Sequence, residues 1–318
     1  MKCSNPECAA PATPCHLDGG DYKKCEVWLK TNGAIKTPTK QQKVNKKTFV
    51  NWSGSALQID ELNSITLRNS PITIGIVGKV DAGKTTFLAM LFTLLQKGFG
   101  FYKYQFAGSQ SLIGWDELYH RLKVYQTQVA FPDPTPTEYL RFFHLALRDN
   151  RGLLKDLLIS DASGEGFTAW AVNRDAPNAI NARTIYKTSC GFILFIDCKD
   201  LIARKGTARA EIIALAEMLR HDLQGRPVIA VWSKADEKEN VNQLIIDALS
   251  TELTEMFGNF NQIDISNFPS DNPDALVHQN NLKVVDWLLD RIQNQQWPVC
   301  PPSVSSNNDI FLNYRGHE

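Results

Sequence analysis

A glycine-bounded loop limits the choice of fold for this chain more strongly than any other segment. The loop, 78–85, reads GKVDAGKT and fits the pattern G-x-x-x-x-G-K-[ST] at every fixed position. It follows a run of mostly β-branched residues, Ile72 to Val77, and leads into a run of helix formers, Lys84 to Leu95. Glycines allow successive backbone N–H groups to converge on phosphate oxygens, and a helix N-terminus favours the same negative charge. The sequence therefore predicts a strand, a phosphate-binding loop and a helix in succession.

The residues of this loop have separate predicted roles. Lys84 would bridge the β- and γ-phosphates of a nucleotide, and the hydroxyl of Thr85 would be a ligand of Mg²⁺. A chance Gly-Lys-Thr turn is the alternative, and the flanking strand and helix argue against it. The residues predicted to contact the nucleotide here are Gly78, Lys79, Val80, Asp81, Ala82, Gly83, Lys84, Thr85 and Thr86.

A second motif follows an apolar run and places a carboxylate near the same phosphates. Residues 157–160 lead into 161–164, Asp-Ala-Ser-Gly, which has the pattern D-x-x-G. An Asp at the carboxyl end of a central strand can hold the hydration shell of Mg²⁺, so Asp161 is a predicted metal ligand. The backbone N–H of Gly164 can bind a γ-phosphate and make the following segment respond to it. An Asp in an ordinary turn is the alternative.

A third motif distinguishes the base of the nucleotide. The apolar run Pro227 to Trp232 is followed by 233–236, Ser-Lys-Ala-Asp, which resembles the [N/T/S]-K-x-D element of GTPases. Asp236 would accept hydrogen bonds from the N1–H and the amino group of guanine, and a buried Asp left unpaired would reject ATP. The aliphatic stem of Lys234 would lie over the base, and Ser233 keeps a hydroxyl where Asn is commoner. A helix-capping Ser or Asp is the alternative.

Apolar runs alternate with helical periodicities along the same region. The runs predict six strands: Ile72–Val77, Phe142–Leu147, Leu153–Ser160, Gly191–Asp197, Pro227–Trp232 and Gln262–Ser266. Helices of 10–18 residues between the later strands predict an α/β fold, with a mostly parallel six-stranded sheet and helices on both faces. The short link from Arg148 to Gly152 predicts a hairpin, so one edge strand should run antiparallel.

The order of the three motifs resembles that of the translation-factor-related class of P-loop GTPases, over about residues 70–295. Within that class, the cysteine-bearing N-terminus and the segments 52–54 (Trp-Ser-Gly) and 106–109 (Phe-Ala-Gly-Ser) look like bacterial double-GTPase proteins of paired-GTPase defence systems. The resemblance implies a P-loop NTPase G domain and a Mg²⁺-dependent, GTP-hydrolysing switch that binds GTP and GDP. It also implies a protein partner, either a second GTPase or an effector.

The resemblance assigns further residues that the motifs alone do not. Ser266 and Asn267 lie where the class has a loop whose backbone N–H groups face the guanine oxygen, although Asn267 replaces the usual Ala. Thr137, or else Thr135, lies where a threonine of the class closes over Mg²⁺ and the γ-phosphate. The neighbouring prolines are also consistent with a rigid surface loop that has no ligand role. A loop ordered by GTP should be less sensitive to protease with GTP than with GDP.

Glu165 follows the D-x-x-G motif, where many relatives use Gln or His to orient the attacking water. With Lys84 and Gly164 it completes the predicted catalytic residues. A carboxylate adds negative charge beside the γ-phosphate, which opposes the transition state. Hydrolysis should therefore be slow unless Arg174, Arg183 or an arginine of a partner supplies a cation. Surface ion pairs are the alternative for both arginines.

The same motifs are also consistent with a second function class. A nucleotide-gated scaffold would bind GTP, hydrolyse it slowly or not at all, and work by assembly with a partner. A P-loop kinase is disfavoured because the S-K-x-D element would then have no role.

Four of the seven cysteines lie within the first 25 residues, at Cys3, Cys8, Cys15 and Cys25. Residues 1–30 contain too few aliphatic side chains for a hydrophobic core, so a fold there needs a staple. Four thiols, with His16 beside the third, suit tetrahedral Zn²⁺, while free thiols or disulfides are the alternatives. The predicted organisation is a cysteine-rich module at 1–30, a linker and lead-in at 31–69, a G domain at 70–296 and a tail at 297–318.

Charge and hydropathy argue against several classes of partner. The 318 residues include 34 basic and 34 acidic side chains, so no bulk charge favours nucleic acid or an acidic membrane surface. The longest strongly apolar run, Phe87 to Leu95, is far shorter than the ~20 residues that span a bilayer. No apolar signal segment follows Met1. A cytoplasmic protein is expected, and its assembly into an oligomer stays open.

Overall fold

The computed structural model of the chain describes residues 3–15, 17, 20–32, 53–66, 70–121, 124–125, 128–129, 136, 138–267 and 275–294. The chain divides into two compact units, Met1–Asn51 and Trp52–Glu318. The predicted switch threonines, Thr135 and Thr137, lie outside the described residues, as does His16.

The first unit is a short fold with a very small apolar core. A 3₁₀ turn, Tyr22–Lys24, precedes helix α1, Glu26–Asn32. The backbone groups of Cys15 and Gly20 exchange two hydrogen bonds, at 3.3 and 2.8 Å. Among the described residues of this unit, the buried side chains are those of Ala10, Cys15 and Cys25. Thiols therefore occupy the positions that aliphatic side chains have in a larger core.

The second unit is an α/β fold. Its helices and strands, in chain order, are α2 (Asn63–Thr66), β1 (Ile72–Val77), α3 (Lys84–Gln96), β2 (Tyr104–Gly108), α4 (Leu112–Arg121), β3 (Val124–Tyr125), β4 (Gln128–Val129), β5 (Leu140–Asp149), β6 (Leu154–Ala162), α5 (Gly164–Val172), α6 (Ile180–Thr188), β7 (Gly191–Asp197), α7 (Cys198–Arg204), α8 (Gly206–Arg220), β8 (Val228–Ser233), α9 (Gln243–Met256), β9 (Phe260–Asp264) and α10 (Ala275–Gln293). Short 3₁₀ segments lie at Ile59–Glu61, Pro177–Ala179 and Ala235–Asn240.

Within the part of the chain that the structure describes, seven strands form the main sheet, in the order β2-β5-β6-β1-β7-β8-β9. β5 pairs antiparallel with both β2 and β6, and the other neighbouring strands are parallel. The predicted α/β fold with a mostly parallel sheet is confirmed. The predicted number of strands and the edge position of the antiparallel strand are wrong, because β2 covers β5 and forms the edge. β2 has no apolar run, since only Tyr104 of its five residues is buried, and periodicity does not reveal it.

Different helices cover the two faces of the main sheet, because side chains alternate along each strand. On one face, Phe192, Leu194 and Ile196 of β7 pack with helices α5, α6, α8 and α9. On the other face, Ile193 and Phe195 pack with α3, α4 and α10. Burial on both faces accounts for the nearly continuous apolar runs of β1, β7 and β8. No helix among the described residues is long and apolar enough to cross a membrane.

The predicted hairpin joins β5 to β6, where Asp149 Oδ1 accepts hydrogen bonds from the backbone N–H groups of Arg151 and Leu153, both at 2.9 Å.

The strand register brings the carboxyl ends of four strands together. β6 and β7 lie on either side of β1, and β8 follows with Ser233 opposite Asp197. Open parallel sheets bind their ligands at the edge where such strand ends meet.

Candidate nucleotide-binding site

The three sequence motifs meet at the carboxyl edge of the sheet. Strands β1, β6 and β8 each run directly into one of them. Thr85 Oγ1 lies 3.2 Å from Asp161 Oδ1, which joins the phosphate loop to the D-x-x-G motif. A Cβ placed on Gly83 would lie 3.9 Å from that of Ser233, so the loop also adjoins the S-K-x-D motif.

The phosphate loop curls around the ammonium group of its own lysine. Asp81 and Gly83 have positive φ values of 59° and 88°, which turn the chain sharply before α3 begins. Lys84 Nζ donates hydrogen bonds to the carbonyl oxygens of Gly78 at 3.0 Å and Lys79 at 2.6 Å. Burial lowers the pKa of Lys84 to about 8, although two nearby carboxylates oppose the shift. A bound phosphate would stabilise this buried charge.

Asp161 and Thr85 form the part of the site that suits a divalent cation. Asp161 is 2% exposed, and Thr85 Oγ1 donates to its carboxylate, at 3.2 Å from Oδ1 and 3.4 Å from Oδ2. Burial raises the pKa of Asp161 to about 6, while Lys84 and the Thr85 hydroxyl oppose the rise. These two ligands fit Mg²⁺, which usually adds waters and substrate phosphates to one or two protein ligands. Among the described residues, no group of three or more His, Cys, Asp or Glu side chains is arranged to hold a metal ion by itself.

The raised pKa of Asp161 predicts a pH-dependent cost of folding in the nucleotide-free protein. The folded state holds this proton more firmly than the unfolded state, so the unfolding free energy falls as the pH rises from about 4 to about 6. Asp161→Asn has no proton to lose at this position. We therefore expect its free energy of unfolding to rise by about 1 kcal/mol relative to that of the unsubstituted protein as the pH is raised from 5 to 7. Denaturant unfolding in EDTA measures the difference, with the exposed Asp175→Asn as the control. A difference that is independent of pH would contradict the expectation.

The glycine of the D-x-x-G motif packs directly on the phosphate loop. A Cβ placed on Gly164 would lie 2.0 Å from the backbone nitrogen of Val80 and 2.2 Å from the carbonyl carbon of Lys79. Only glycine fits this contact. Helix α5 begins at Gly164, and Ser163 Oγ accepts a hydrogen bond from the N–H of Glu165 at 3.3 Å. The start of α5 therefore lies against the loop, where its partial positive charge favours phosphate.

Glu165 lies in the first turn of α5 and is exposed, whereas the two arginines that follow it have other partners. Arg183 Nη1 donates to the carbonyl oxygens of Arg174 at 2.7 Å and Ala176 at 2.8 Å. Arg174 Nη1 lies 3.1 Å from His221 Nδ1. The guanidinium group of Arg183 thus braces the segment between α5 and α6, and that of Arg174 joins this segment to His221.

A serine from a distant loop braces the carboxylate of the base-specific motif. Ser266 Oγ donates to Asp236 Oδ1 at 2.6 Å. Lys234, which has a positive φ of 55°, donates from Nζ to Asp197 Oδ2 at 2.6 Å. Asp236 itself is exposed, because it lies beyond the end of β8, in the 3₁₀ segment Ala235–Asn240.

The last two residues assigned to the base hold this edge of the site together. Ser233 is buried, and its Oγ donates to the carbonyl oxygen of Ile196 at 3.2 Å, which joins β8 to β7. Asn267 Oδ1 accepts a hydrogen bond from Asn281 Nδ2 of α10 at 2.9 Å. The sequence patterns did not identify the role of Asp197. It lies at the carboxyl end of an apolar strand, as Asp161 does, and this is the signal that could have found it.

The four cysteines of the first unit are buried or partly buried. Cys3, Cys8, Cys15 and Cys25 are not joined in disulfides. A hydrogen bond with the backbone of Ala10 lowers the pKa of the Cys8 thiol, but burial and the neighbouring Cys3 and Cys15 outweigh it, so this pKa is raised. The described side chains do not form a metal-binding group, and the predicted zinc site therefore stays a prediction.

Two solved structures have a limited similarity to this chain. A GTP-binding protein from the hyperthermophilic archaeon Sulfolobus solfataricus, in complex with GDP, is similar at 17% identity and a TM-score of 0.37, over 73% of this chain and 55% of that one. A substitution variant of SsGBP is similar at 18% identity and a TM-score of 0.38, over 74% of this chain and 60% of that one. This chain therefore spans 55–60% of the length of those two structures.

No curated protein matches the chain. The sequence model of the Double-GTPase 2 family matches residues 72–288, which are more than half of the chain and include all three motifs. The chain therefore belongs to the Double-GTPase 2 family.

Proposed function

We propose that this chain is a Mg²⁺-dependent GTPase, which binds GTP and GDP, hydrolyses GTP and acts as a molecular switch. The observation that carries the proposal is the meeting of Lys84, the Thr85–Asp161 pair and the Ser266–Asp236 pair at one edge of the sheet. They supply a cation for phosphates, oxygen ligands for Mg²⁺ and a carboxylate for guanine. Membership of the Double-GTPase 2 family supports the same activity.

The phosphates would bind to groups that the folded loop already presents. Two of the three N–H donors of Lys84 Nζ bind loop carbonyl oxygens, so the third can contact a phosphate oxygen, and burial would strengthen that interaction. Thr85 and Asp161 would hold Mg²⁺, which neutralises phosphate charge when bound. The backbone N–H groups of 79–86 would complete the phosphate site.

The guanine base would be selected by Asp236. Its carboxylate would accept hydrogen bonds from the N1–H and the amino group of guanine, while Oδ1 also accepts the hydrogen bond from Ser266. The stem of Lys234 would cover the face of the base, with its ammonium group fixed by Asp197. The backbone of 266–267, supported by α10, would contact the guanine oxygen.

Hydrolysis would depend on the start of α5 and on a partner. The backbone N–H of Gly164 would contact the γ-phosphate, and Glu165 would accept a hydrogen bond from the attacking water. The negative charge of Glu165 disfavours the transition state, so intrinsic hydrolysis would be slow. We therefore assign the missing cation to a protein partner, such as a second GTPase of a bacterial defence-type system.

Single-turnover hydrolysis of GTP by the purified chain tests this function. We expect Mg²⁺-dependent release of phosphate that is slow alone and faster with a partner GTPase encoded nearby. The competing function is a nucleotide-gated scaffold, for which the exposed Glu165 is the supporting observation. Tight GTP binding with no hydrolysis, alone or with the partner, would favour the scaffold.

Substitution of the D-x-x-G glycine should separate binding from hydrolysis. Gly164→Ala places a Cβ where the phosphate loop lies, so the start of α5 must move away. We expect GTP hydrolysis to fall about 100-fold, because a backbone donor to the developing charge is displaced. GDP binding should change less. Gly166→Ala, two residues along the same helix, adds a Cβ at 3.4 Å from its nearest contact and serves as the control. Equal hydrolysis rates for both variants would rule out this role of Gly164.

We also propose that Cys3, Cys8, Cys15 and Cys25 hold Zn²⁺ in a module at 1–30 that docks a protein partner. The support is the donor set, the burial of Cys15 and Cys25, and the near absence of other core side chains. Elemental analysis of protein purified without chelators should find about one zinc per chain. Cys25→Ser should lose it, and Cys190→Ser should keep it. Zinc-free protein in which residues 1–30 remain folded would contradict the proposal.

A further inference from the structure

Four charged side chains form a cluster beside the phosphate loop. Lys79, the second residue of the loop, donates from Nζ to Asp200 at 3.5 Å and also to Glu211. Arg204 makes two hydrogen bonds to each carboxylate, both at 2.6 Å to Asp200, and at 2.8 and 2.9 Å to Glu211. We refer to these four residues as the Lys79 cluster.

The Lys79 cluster differs from an isolated surface ion pair. The side chains of Lys79 and Asp200 are only 23% and 25% exposed. Hydrogen bonds from Arg204, and then from Lys79, lower the pKa of Glu211 to about 2, so both carboxylates are charged at neutral pH. Isolated exposed ion pairs contribute little to stability, whereas networks of bidentate arginine–carboxylate hydrogen bonds fix the geometry of the groups they join. The cluster can therefore define the position of the loop.

The cluster ties the loop to two helices. Asp200 and Arg204 lie on α7, and Glu211 lies on α8. Lys205, between these helices, has a φ of 47° and a ψ of −118°, a backbone conformation that L-residues rarely adopt. The bend at Lys205 allows residues of both helices to reach the same ammonium group.

Helix α8 also packs against α5. Phe167 and Trp170 of α5 belong to the hydrophobic core that contains the buried face of α8. At its N-terminus, α5 packs on the Lys79–Val80 peptide through Gly164. The contacts therefore form a closed circuit, from the loop through Lys79 to α8, from α8 to α5, and from α5 back to the loop.

The Lys79 peptide lies at the point where this circuit meets the phosphate site. Its carbonyl oxygen accepts the hydrogen bond from Lys84 Nζ at 2.6 Å, and its carbonyl carbon is among the atoms nearest to Gly164. A shift of this peptide would move two groups of the proposed catalytic site at once. Misplacement by about 1 Å can cost about 100-fold in rate.

We propose that Lys79 is a positioning residue for GTP hydrolysis: its side chain, held by Asp200 and Glu211, keeps the Lys79–Val80 peptide where Lys84 and Gly164 meet the γ-phosphate. This inference rests on the proposed GTPase function. Lys79 acts through Lys84 and Gly164 and does not itself touch the nucleotide with its side chain. Gly164 would contact the γ-phosphate, which GDP lacks. The Lys79 cluster therefore affects the GTP reaction more than it affects GDP binding.

Steady-state hydrolysis by the full chain tests the proposal, with kcat, KM and GDP affinity measured separately. We expect Lys79→Met to lower kcat about tenfold, with KM and GDP affinity within about threefold. Glu211→Gln should act in the same direction, and Lys79→Arg should restore most of the rate. The double variant should lose no more than Lys79→Met alone, because both changes break the same contact.

A matched control lies on the same helix. Arg209 of α8 pairs with Glu252 of α9, with exposed fractions of 34% and 38%, and belongs to no part of the Lys79 cluster. Arg209→Met should leave kcat unchanged. An equal loss in Arg209→Met would show a general effect on α8 and overturn the proposal.

The outcomes distinguish this proposal from the function on which it rests. If the unsubstituted chain neither binds nor hydrolyses GTP, the GTPase function is wrong. If it hydrolyses GTP and both Lys79→Met and Glu211→Gln stay within about twofold of its rate, the positioning role is wrong and the GTPase remains. Thermal unfolding followed by circular dichroism identifies a variant that does not fold, and Glu211→Gln, which changes shape least, then decides.

Discussion

Lys84→Ala is expected to eliminate GTP turnover and to weaken GTP binding at least about 100-fold. The ammonium group of Lys84 is buried within the loop, where a charge interacts with phosphate more strongly than it does in water. The alanine variant also removes the donor that satisfies the carbonyl oxygens of Gly78 and Lys79. Titration with a fluorescent GTP analogue and a phosphate-release assay measure the two effects.

The control for this variant is Lys97→Ala, which removes an exposed lysine just after the end of α3. It should bind and hydrolyse GTP as the unsubstituted chain does. Circular dichroism establishes that both variants fold. Undiminished turnover by Lys84→Ala would exclude the enzyme assignment altogether.

Asp236→Asn is expected to change which base the site prefers. The carboxylate would accept two hydrogen bonds from guanine, but an amide presents one acceptor and one donor. Guanine nucleotide affinity should therefore fall at least about 100-fold, since polar groups are left unpaired. Xanthine has a carbonyl oxygen in place of the amino group, and this oxygen would accept a hydrogen bond from the amide. Competition between GTP and XTP measures the preference.

Glu239→Gln provides the matched control for the base preference. Glu239 is an exposed carboxylate in the same 3₁₀ segment, and its loss should leave GTP preferred over XTP. Asp236→Asn with an unchanged preference would show that the base is read elsewhere. Ser266→Ala tests the brace on the Asp236 carboxylate and should lower guanine affinity by a smaller factor, about tenfold.

Several parts of the fold were predictable because their causes are local. The strands β1 and β7 have the predicted bounds, Ile72–Val77 and Gly191–Asp197, since burial on both faces requires an uninterrupted apolar run. The hairpin between β5 and β6 was predictable from its short polar link. The phosphate loop was predictable because its conformation depends on glycines at fixed spacing.

Other parts were not predictable from local patterns. Strand β2 carries a mostly exposed sequence and is a strand because it pairs with β5. The sequence shows that Arg183 is a cation that follows Glu165 along the chain. Its hydrogen bonds to loop carbonyl oxygens depend on how α5 and α6 are joined. The exposure of Asp236 depends on where β8 ends relative to the 3₁₀ segment that follows it.

Residue order alone establishes the alternation of strands and helices, the three nucleotide motifs and their order, because periodicity and short spacings are properties of neighbouring residues. Folding in three dimensions establishes which distant side chains meet. Ser266 and Asp236 are separated by 30 residues, and Glu211 and Lys79 by 132. These pairs exist because the strand order and the packing of α8 and α10 bring separate segments to one edge of the sheet, and no local pattern in the chain records that arrangement.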